Sequence, residues 1–356
     1  MTKEEGFCGT DLNHQNLIKQ LGERYKKNML REEQHWMDYA STFFSLPIDL
    51  PVVTIPVVVH IVYNTDEQNI SDSQVNSQIE ALNRDFRKRN TDIDLVPTHW
   101  KDLAADTRIE FQLAVKDPQG NLTNGITRTR TDINPFLYGR DENGSPHPQK
   151  IKFSNQGGKD AWDTTRYLNI WVCNIESTPR PGIQGYAQFP GGDLFLDGVV
   201  MKYTAFGTVG TARPPLNLGR VTVHEVGHYL GLRHIWGDDS LSPCQGIDNI
   251  SDTPNQAGPN GGNPTFPSTT ESCPDTGPNG TMFMNQMDYT VDASRYMFTL
   301  GQMARMRFTL EGVRLLLVKS NVLRSVVEES NLETIRKLPP KMFNGIDSVV
   351  GLEELL

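Results

Sequence analysis

Residues 221–238 read VTVHEVGHYLGLRHIWGD, and this stretch decides the fold. A helix ending near Gly231 places His224 and His228 four residues apart on one face, where two imidazoles can grip one metal ion. Glu225 faces the same region but is offset, which suits a carboxylate that handles a water's proton rather than the metal. Gly231 can adopt the left-handed conformation that ends a helix, so the chain turns and His234 returns as a third ligand. Three protein ligands leave the fourth position of a zinc ion open, as a catalytic site requires. A structural zinc is closed by four, and no fourth Cys or His lies in this local stretch.

Working outward, 356 residues allow a substantial core, one catalytic unit of two subdomains, and flanking segments. A net charge of −9 without any basic run argues against nucleic acid as a partner, and no apolar run reaches the length of a membrane helix. The start, MTKEEGFCGT, has no apolar h-region. A monomer is the expected state. The four cysteines allow one staple and one functional thiol.

Before residue 55 the chain is rich in charge and helix formers. Leu12, Leu17, Leu21, Tyr25 and Met29 recur at roughly helical spacing, so one or two amphipathic helices are expected, followed by an extended linker at 46–51. Strands are expected at 55–63, 109–115, 126–131, 168–174, 185–189 and 198–203. Ser71 with Gln74 forms a capping box before a helix whose Val75, Ile79, Leu82 and Phe86 face the core. This order gives a mixed sheet backed by a helix, an α+β arrangement. The segment 185–189 reads as a short edge strand, able to pair through Gly185, Tyr186 and Ala187 with an extended peptide, or simply an edge with no ligand. Residues 136–163 read as loop with one short helix.

The run 237–285 has almost no apolar periodicity and needs fastening. Cys244 and Cys273 bracket it and can be joined by a disulfide. Asp248, Ser251, Asp252, Thr253 and Asp275 offer oxygen atoms for calcium, or are ordinary turn and cap residues. Thr299 with Gln302 caps a further helix.

The zinc stretch, together with YLNIWVCNI, GYAQFPGG, the DTP at 252–254, FMNQMDYT at 283–290 and MDYTVDASRYMFT, resembles the pappalysin family of the metzincin metalloendopeptidases over residues 55–320. The resemblance implies a twisted five-stranded sheet with backing and active-site helices over an irregular lower part with a Met-turn and a C-terminal helix. It divides the chain into an inhibitory prodomain (1–54), a catalytic domain (upper 55–234, lower 235–320) and a tail (321–356). It makes His224, His228 and His234 zinc ligands, Glu225 the general base, Met287 the Met-turn residue and Tyr289 the group that reaches the oxyanion. Asp292 becomes the base of a primed-side pocket selecting Arg or Lys. A family disulfide is missing where Ser294 stands. A Cys-Gly pair in the prodomain resembles a cysteine switch, in which Cys8 takes the fourth zinc position. Otherwise Cys8 is a mobile thiol or pairs with Cys173, itself read as a buried free thiol. A secreted zinc endopeptidase made in latent form and acting on protein or peptide substrates is the implied function. The alternatives are a non-catalytic, toxin-like binding module on the same scaffold and a zinc hydrolase of non-peptide amides.

Overall fold

The computed structural model describes residues 8–43, 50–178, 181–237 and 242–319. The tail 321–356, most of the linker 46–51, the side chain of Leu21 and the last residue of the quoted stretch, Asp238, lie outside them.

The chain runs α1 (Thr10–Phe43), β1 (Val53–Tyr63), α2 (Asp72–Phe86), β2 (Ile109–Leu113), β3 (Ile126–Arg130), β4 (Phe136–Gly139), β5 (Leu168–Cys173), β6 (Ile175–Thr178), β7 (Gly185–Ala187), β8 (Val199–Lys202), α3 (Arg220–Tyr229), α4 (Leu300–Glu311) and α5 (Leu315–Lys319). The main sheet has the order β2-β1-β5-β8-β7. β1 is long enough to pair with β2 through Val53–Val57 and with β3 through Val59–Tyr63, so those two strands share one flank. Every pairing is parallel except β7 with β8.

Both faces of the sheet are covered, which is why β1 reads as a continuous β-branched run rather than an alternating one. Val57, Val59 and Ile61 point toward Val75, Leu82 and Phe86 of α2 and toward Val223 and Val226 of α3. Val62, Trp171, Tyr186 and Val200 pack on the opposite side with Phe136, Tyr138 and Ile175. Burying a side chain such as Leu82 or Phe86 contributes roughly 1.5–3 kcal/mol.

Two local expectations need correcting, and a third is made definite. The run 136–163 is not all loop, because Phe136–Gly139 forms β4 and pairs in parallel with β6. Ser71 caps α2 through Gln74 N at 3.2 Å, but the Gln74 amide reaches Phe206 O and Thr211 Oγ1 instead of closing the box; Thr299 and Gln302 close theirs at α4. Helix α1 is two helices joined at Gly22, whose φ of 65° and ψ of −150° only glycine adopts readily.

Candidate active site

Helix α3 is fully buried, and its end is set by Gly231. Leu232 N bonds Gly227 O at 3.0 Å and Gly231 N bonds His228 O at 2.9 Å, the paired bonds of a Schellman ending. Gly231 sits at φ 92°, and a Cβ there would lie 2.7 Å from Thr309 Oγ1. The turn brings His234 back beside His224 and His228.

Each imidazole is held by its Nδ1. His224 donates to Gln286 O at 2.8 Å and His228 to Leu232 O at 2.7 Å, while His234 Nδ1 lies 3.3 Å from Asp11 Oδ2. A carbonyl can only accept, so the first two rings carry Nδ1–H and turn bare Nε2 lone pairs inward. The three Nε2 atoms lie 3.1–3.2 Å apart. Lone pairs that close repel unless a cation lies between them, and metal–nitrogen bonds of about 2.0–2.1 Å in a tetrahedron put nitrogens about 3.3 Å apart. The donor set therefore fits zinc. Burial first, then the neighbouring His228 and His234, hold His224 well below the usual imidazole range, which keeps it a neutral ligand.

Cys8 completes the group: its Sγ and one nitrogen of each histidine all lie within 4.8 Å of one another. Among the described residues no other three His, Cys, Asp or Glu side chains are placed to share an ion. The Cys8 thiol is 3.3 Å from Glu225 Oε2, which also accepts from Thr10 Oγ1 at 3.0 Å. Glu225 Oε1 is buried with no hydrogen-bond partner, an acceptor left unsatisfied. Burial pushes the Glu225 carboxyl up to about 7 against the hydrogen bonds from Cys8 and Thr10. Burial and then Glu225 push the Cys8 thiol up to about 12, so a thiolate at neutral pH requires a cation among the imidazoles.

The first residues also lie along β7. Gly9 N donates to Gly185 O at 2.9 Å, Ala187 N donates to Thr10 Oγ1 at 2.8 Å, and Asn13 Nδ2 donates to Ala187 O at 2.9 Å. The Cys8–Gly185 bridge is parallel. Glycine at position 9 is required, because a Cβ would come within 2.5 Å of the Tyr138 ring. Of the three edge residues, Tyr186 turns its side chain into the core, stacked on Tyr138 at 4.3 Å, and pairs with Val200.

Met287 is fully buried, with its Sδ filling the space beside Gly227, the residue before His228, where a Cβ would approach to 2.5 Å. Tyr289 packs edge-on against His234 at 4.9 Å, with its hydroxyl 3.5 Å from Cys8 O. Trp236 stacks on His234 at 4.4 Å.

Asp292 is buried, and its carboxylate accepts from Leu218 N at 2.8 Å and from Arg295 Nη2 at 2.8 Å. Cys244 and Cys273 form a disulfide, while Cys8 and Cys173 are free and buried. Asp252 accepts from Thr299 Oγ1 and Gly301 N at the start of α4, Asp248 from Ile250 N and Thr253 Oγ1, and Asp275 from Asn255. Ser294 donates to Asn263 Oδ1.

Thr10, Asp11, Asn13, Gly227 and Tyr138 act at this site and were not singled out by sequence reasoning. The signal available was Gly9 and Thr10 directly after Cys8. Gly227 lies inside the motif at a position that carries no charge or ring to mark it.

Residues 153–311 match peptidase family M43, described as pregnancy-associated plasma protein-A. Extracellular metalloproteases of Arthroderma benhamiae and Trichophyton verrucosum are each 29% identical over 260 residues, 71% of this chain and 76% of theirs. Mature mirolysin of Tannerella forsythia, solved with a cleaved peptide, is 47% identical, covering 78% of this chain and 100% of its own, with a TM-score of 0.70. A promirolysin variant of the same organism is 43% identical, covering 90% and 99%, with a TM-score of 0.74. The chain belongs to the pappalysin family, M43, of metzincin metalloendopeptidases.

Proposed function

We propose that this protein is a zinc endopeptidase held latent by residues 1–54, secreted, and selective for Arg or Lys on the primed side of the cut. The observation that carries the reading is the trio of tethered imidazoles, Nε2 atoms 3.1–3.2 Å apart, beside a buried Glu225 whose Oε1 has no partner.

His224, His228 and His234 would hold the zinc, which when bound supplies a Lewis acid and acidifies water. Glu225, brought by burial to a pKa of about 7, takes the proton of the attacking water and passes one to the leaving amine. The Tyr289 hydroxyl donates to the oxyanion. Gly185 O, Ala187 N and Ala187 O hold the substrate main chain in the manner of an added strand.

In the latent chain those same three groups are occupied by Gly9, Thr10 and Asn13, and Cys8 stands where the water must be. A thiolate on zinc is a strong fourth ligand, so the segment excludes water and substrate together. Primed-side selectivity rests on the family resemblance at Asp292. Its carboxylate is engaged by Arg295 in the latent chain, so an incoming guanidinium must share or displace that partner. Calcium at Asp248, Ser251 and Thr253 would add to the fastening of the disulfide-bridged loop. The relatives' description as extracellular supports secretion.

The test is a diverse peptide pool incubated with the zinc-loaded protein freed of its first segment, with and without chelator or calcium, and the new ends sequenced. Cuts before Arg or Lys that vanish with chelator are expected. An unchanged pool sinks the enzyme reading, and cuts without Arg or Lys after them remove the role of Asp292.

A further inference from the structure

The half of α1 beyond Gly22 is spent elsewhere than on the histidines. It lies along α4 and the turn at 247–250. Glu33 accepts from Arg305 Nη2 at 2.7 Å and from Asn249 Nδ2 at 2.8 Å, with Arg233 at 3.7 Å. One helical turn on, Trp36 is 2% exposed. Its indole donates to Asn249 O at 2.9 Å, the Arg305 guanidinium lies 5.3 Å over its ring, and Phe308 packs at 5.9 Å. After one more turn Tyr39 donates to Glu311 at 3.1 Å and packs on Phe308 at 5.2 Å. Met303, Ala304 and Ile250 complete the apolar floor. On the other side of the helix, Gln34, His35, Met37 and Asp38 are exposed.

This is the anatomy of a binding hot spot, with an aromatic anchor in an apolar pocket flanked by a charge-assisted pair. It shares no residue with the cleft contacts made by 8–13, and the break at Gly22 separates the two.

We propose that the α4 face is an exosite for an amphipathic helix presenting Glu, Trp and Tyr at i, i+3 and i+6, and that its occupant is residues 23–43 of this chain, bound independently of the cleft. The inference rests on the proposed latency, since only an enzyme that sheds its first segment uncovers this face. A cut in the linker then frees the covalent bond but not the segment. Cleft residues 8–13 stay at a high effective concentration near the histidines until the helix itself is digested or displaced.

The experiment places the recognition sequence of a site-specific protease within residues 44–49 of the full, zinc-loaded chain. The linker is cut, the product is diluted serially, and retention of the segment is followed by gel filtration. With Cys8→Ser and Thr10→Ala weakening the cleft contacts, the segment is expected to stay bound. Adding Glu33→Gln and Trp36→Ala should raise its dissociation constant at least tenfold. Both added substitutions lie on the segment, so the folding of the catalytic part is untouched. Equal dissociation constants with and without Glu33→Gln and Trp36→Ala would overturn the proposal, as would complete loss of the segment from the Cys8→Ser, Thr10→Ala chain at micromolar concentration. Peptide cleavage by the separated catalytic part is assayed in parallel: its absence rejects the enzyme reading and leaves the retention result interpretable.

Discussion

Glu225 and Cys8 contend for one place. As the proposed general base, Glu225 needs a water beside its carboxylate, and the Cys8 thiol lies 3.3 Å from its Oε2. Glu225→Ala is expected to retain one zinc per chain, because the imidazoles are anchored through their Nδ1 atoms and not through Glu225. Cleavage by the activated form should fall by about 10²–10⁴, the usual worth of a positioned general base; metal analysis and a peptide assay on the same sample check both halves. Cys8→Ser in the intact chain removes the proposed thiolate ligand, so basal cleavage should rise above that of the unmodified chain in the same assay. Unchanged basal cleavage would leave the thiol without an inhibitory role. At this scale the sequence was informative where the chemistry is local. His224, His228 and His234 fall within eleven residues, so helix spacing and one glycine predict their meeting. Thr10 and Glu225 meet across 215 positions, and Asp11 reaches His234 from the same segment; no periodicity encodes such a contact.

Among the elements, the ending of α3 matters most, because the position of His234, the third proposed ligand, depends on it. Gly231→Ala imposes a left-handed conformation on a residue with a Cβ, at a cost of about 1–2 kcal/mol, and drives that Cβ toward Thr309 Oγ1. A lower unfolding midpoint and weaker zinc retention against a competing chelator are expected; wild-type values in both would show that the turn tolerates a side chain. The long strands and the helices with clear apolar stripes were legible, since β1 and α2 carry the periodicities of their elements. Strand β4 was not. It is only Phe136–Gly139, it sits in a run of Pro, Gly and Asn, and its pairing with β6 is a tertiary fact. The capping boxes divide the same way. Ser71-x-x-Gln74 and Thr299-x-x-Gln302 look alike in sequence, yet Gln74 is drawn off by acceptors and donors of the 203–211 loop, a competition visible only in the fold.

Across the whole molecule, two fastenings act far from the chemistry. The disulfide closes a 29-residue separation in the loop-rich lower part, so replacing Cys244 and Cys273 by Ser should lower stability by about 3.5 kcal/mol, read from denaturant midpoints under non-reducing conditions. His60 is buried in the sheet, against Thr127 Oγ1 and Asn169 Oδ1, and burial pulls its pKa down from 6.5 to about 4. Between those values the unfolded chain binds a proton that the folded chain refuses, so stability present above pH 6.5 is lost as pH falls toward 4, by up to about 3 kcal/mol. His60→Gln should flatten this part of the stability profile; an unaltered slope would assign the acid sensitivity to other groups. A zinc endopeptidase closed by its own first segment along β7 is the central proposal. The most direct test is the rate at which the zinc-loaded protein cuts a mixed peptide pool before and after residues 1–54 are cut away and separated. The prediction is near silence before and chelator-sensitive cleavage after. Full activity in the intact chain, or none once the segment is gone, would contradict it.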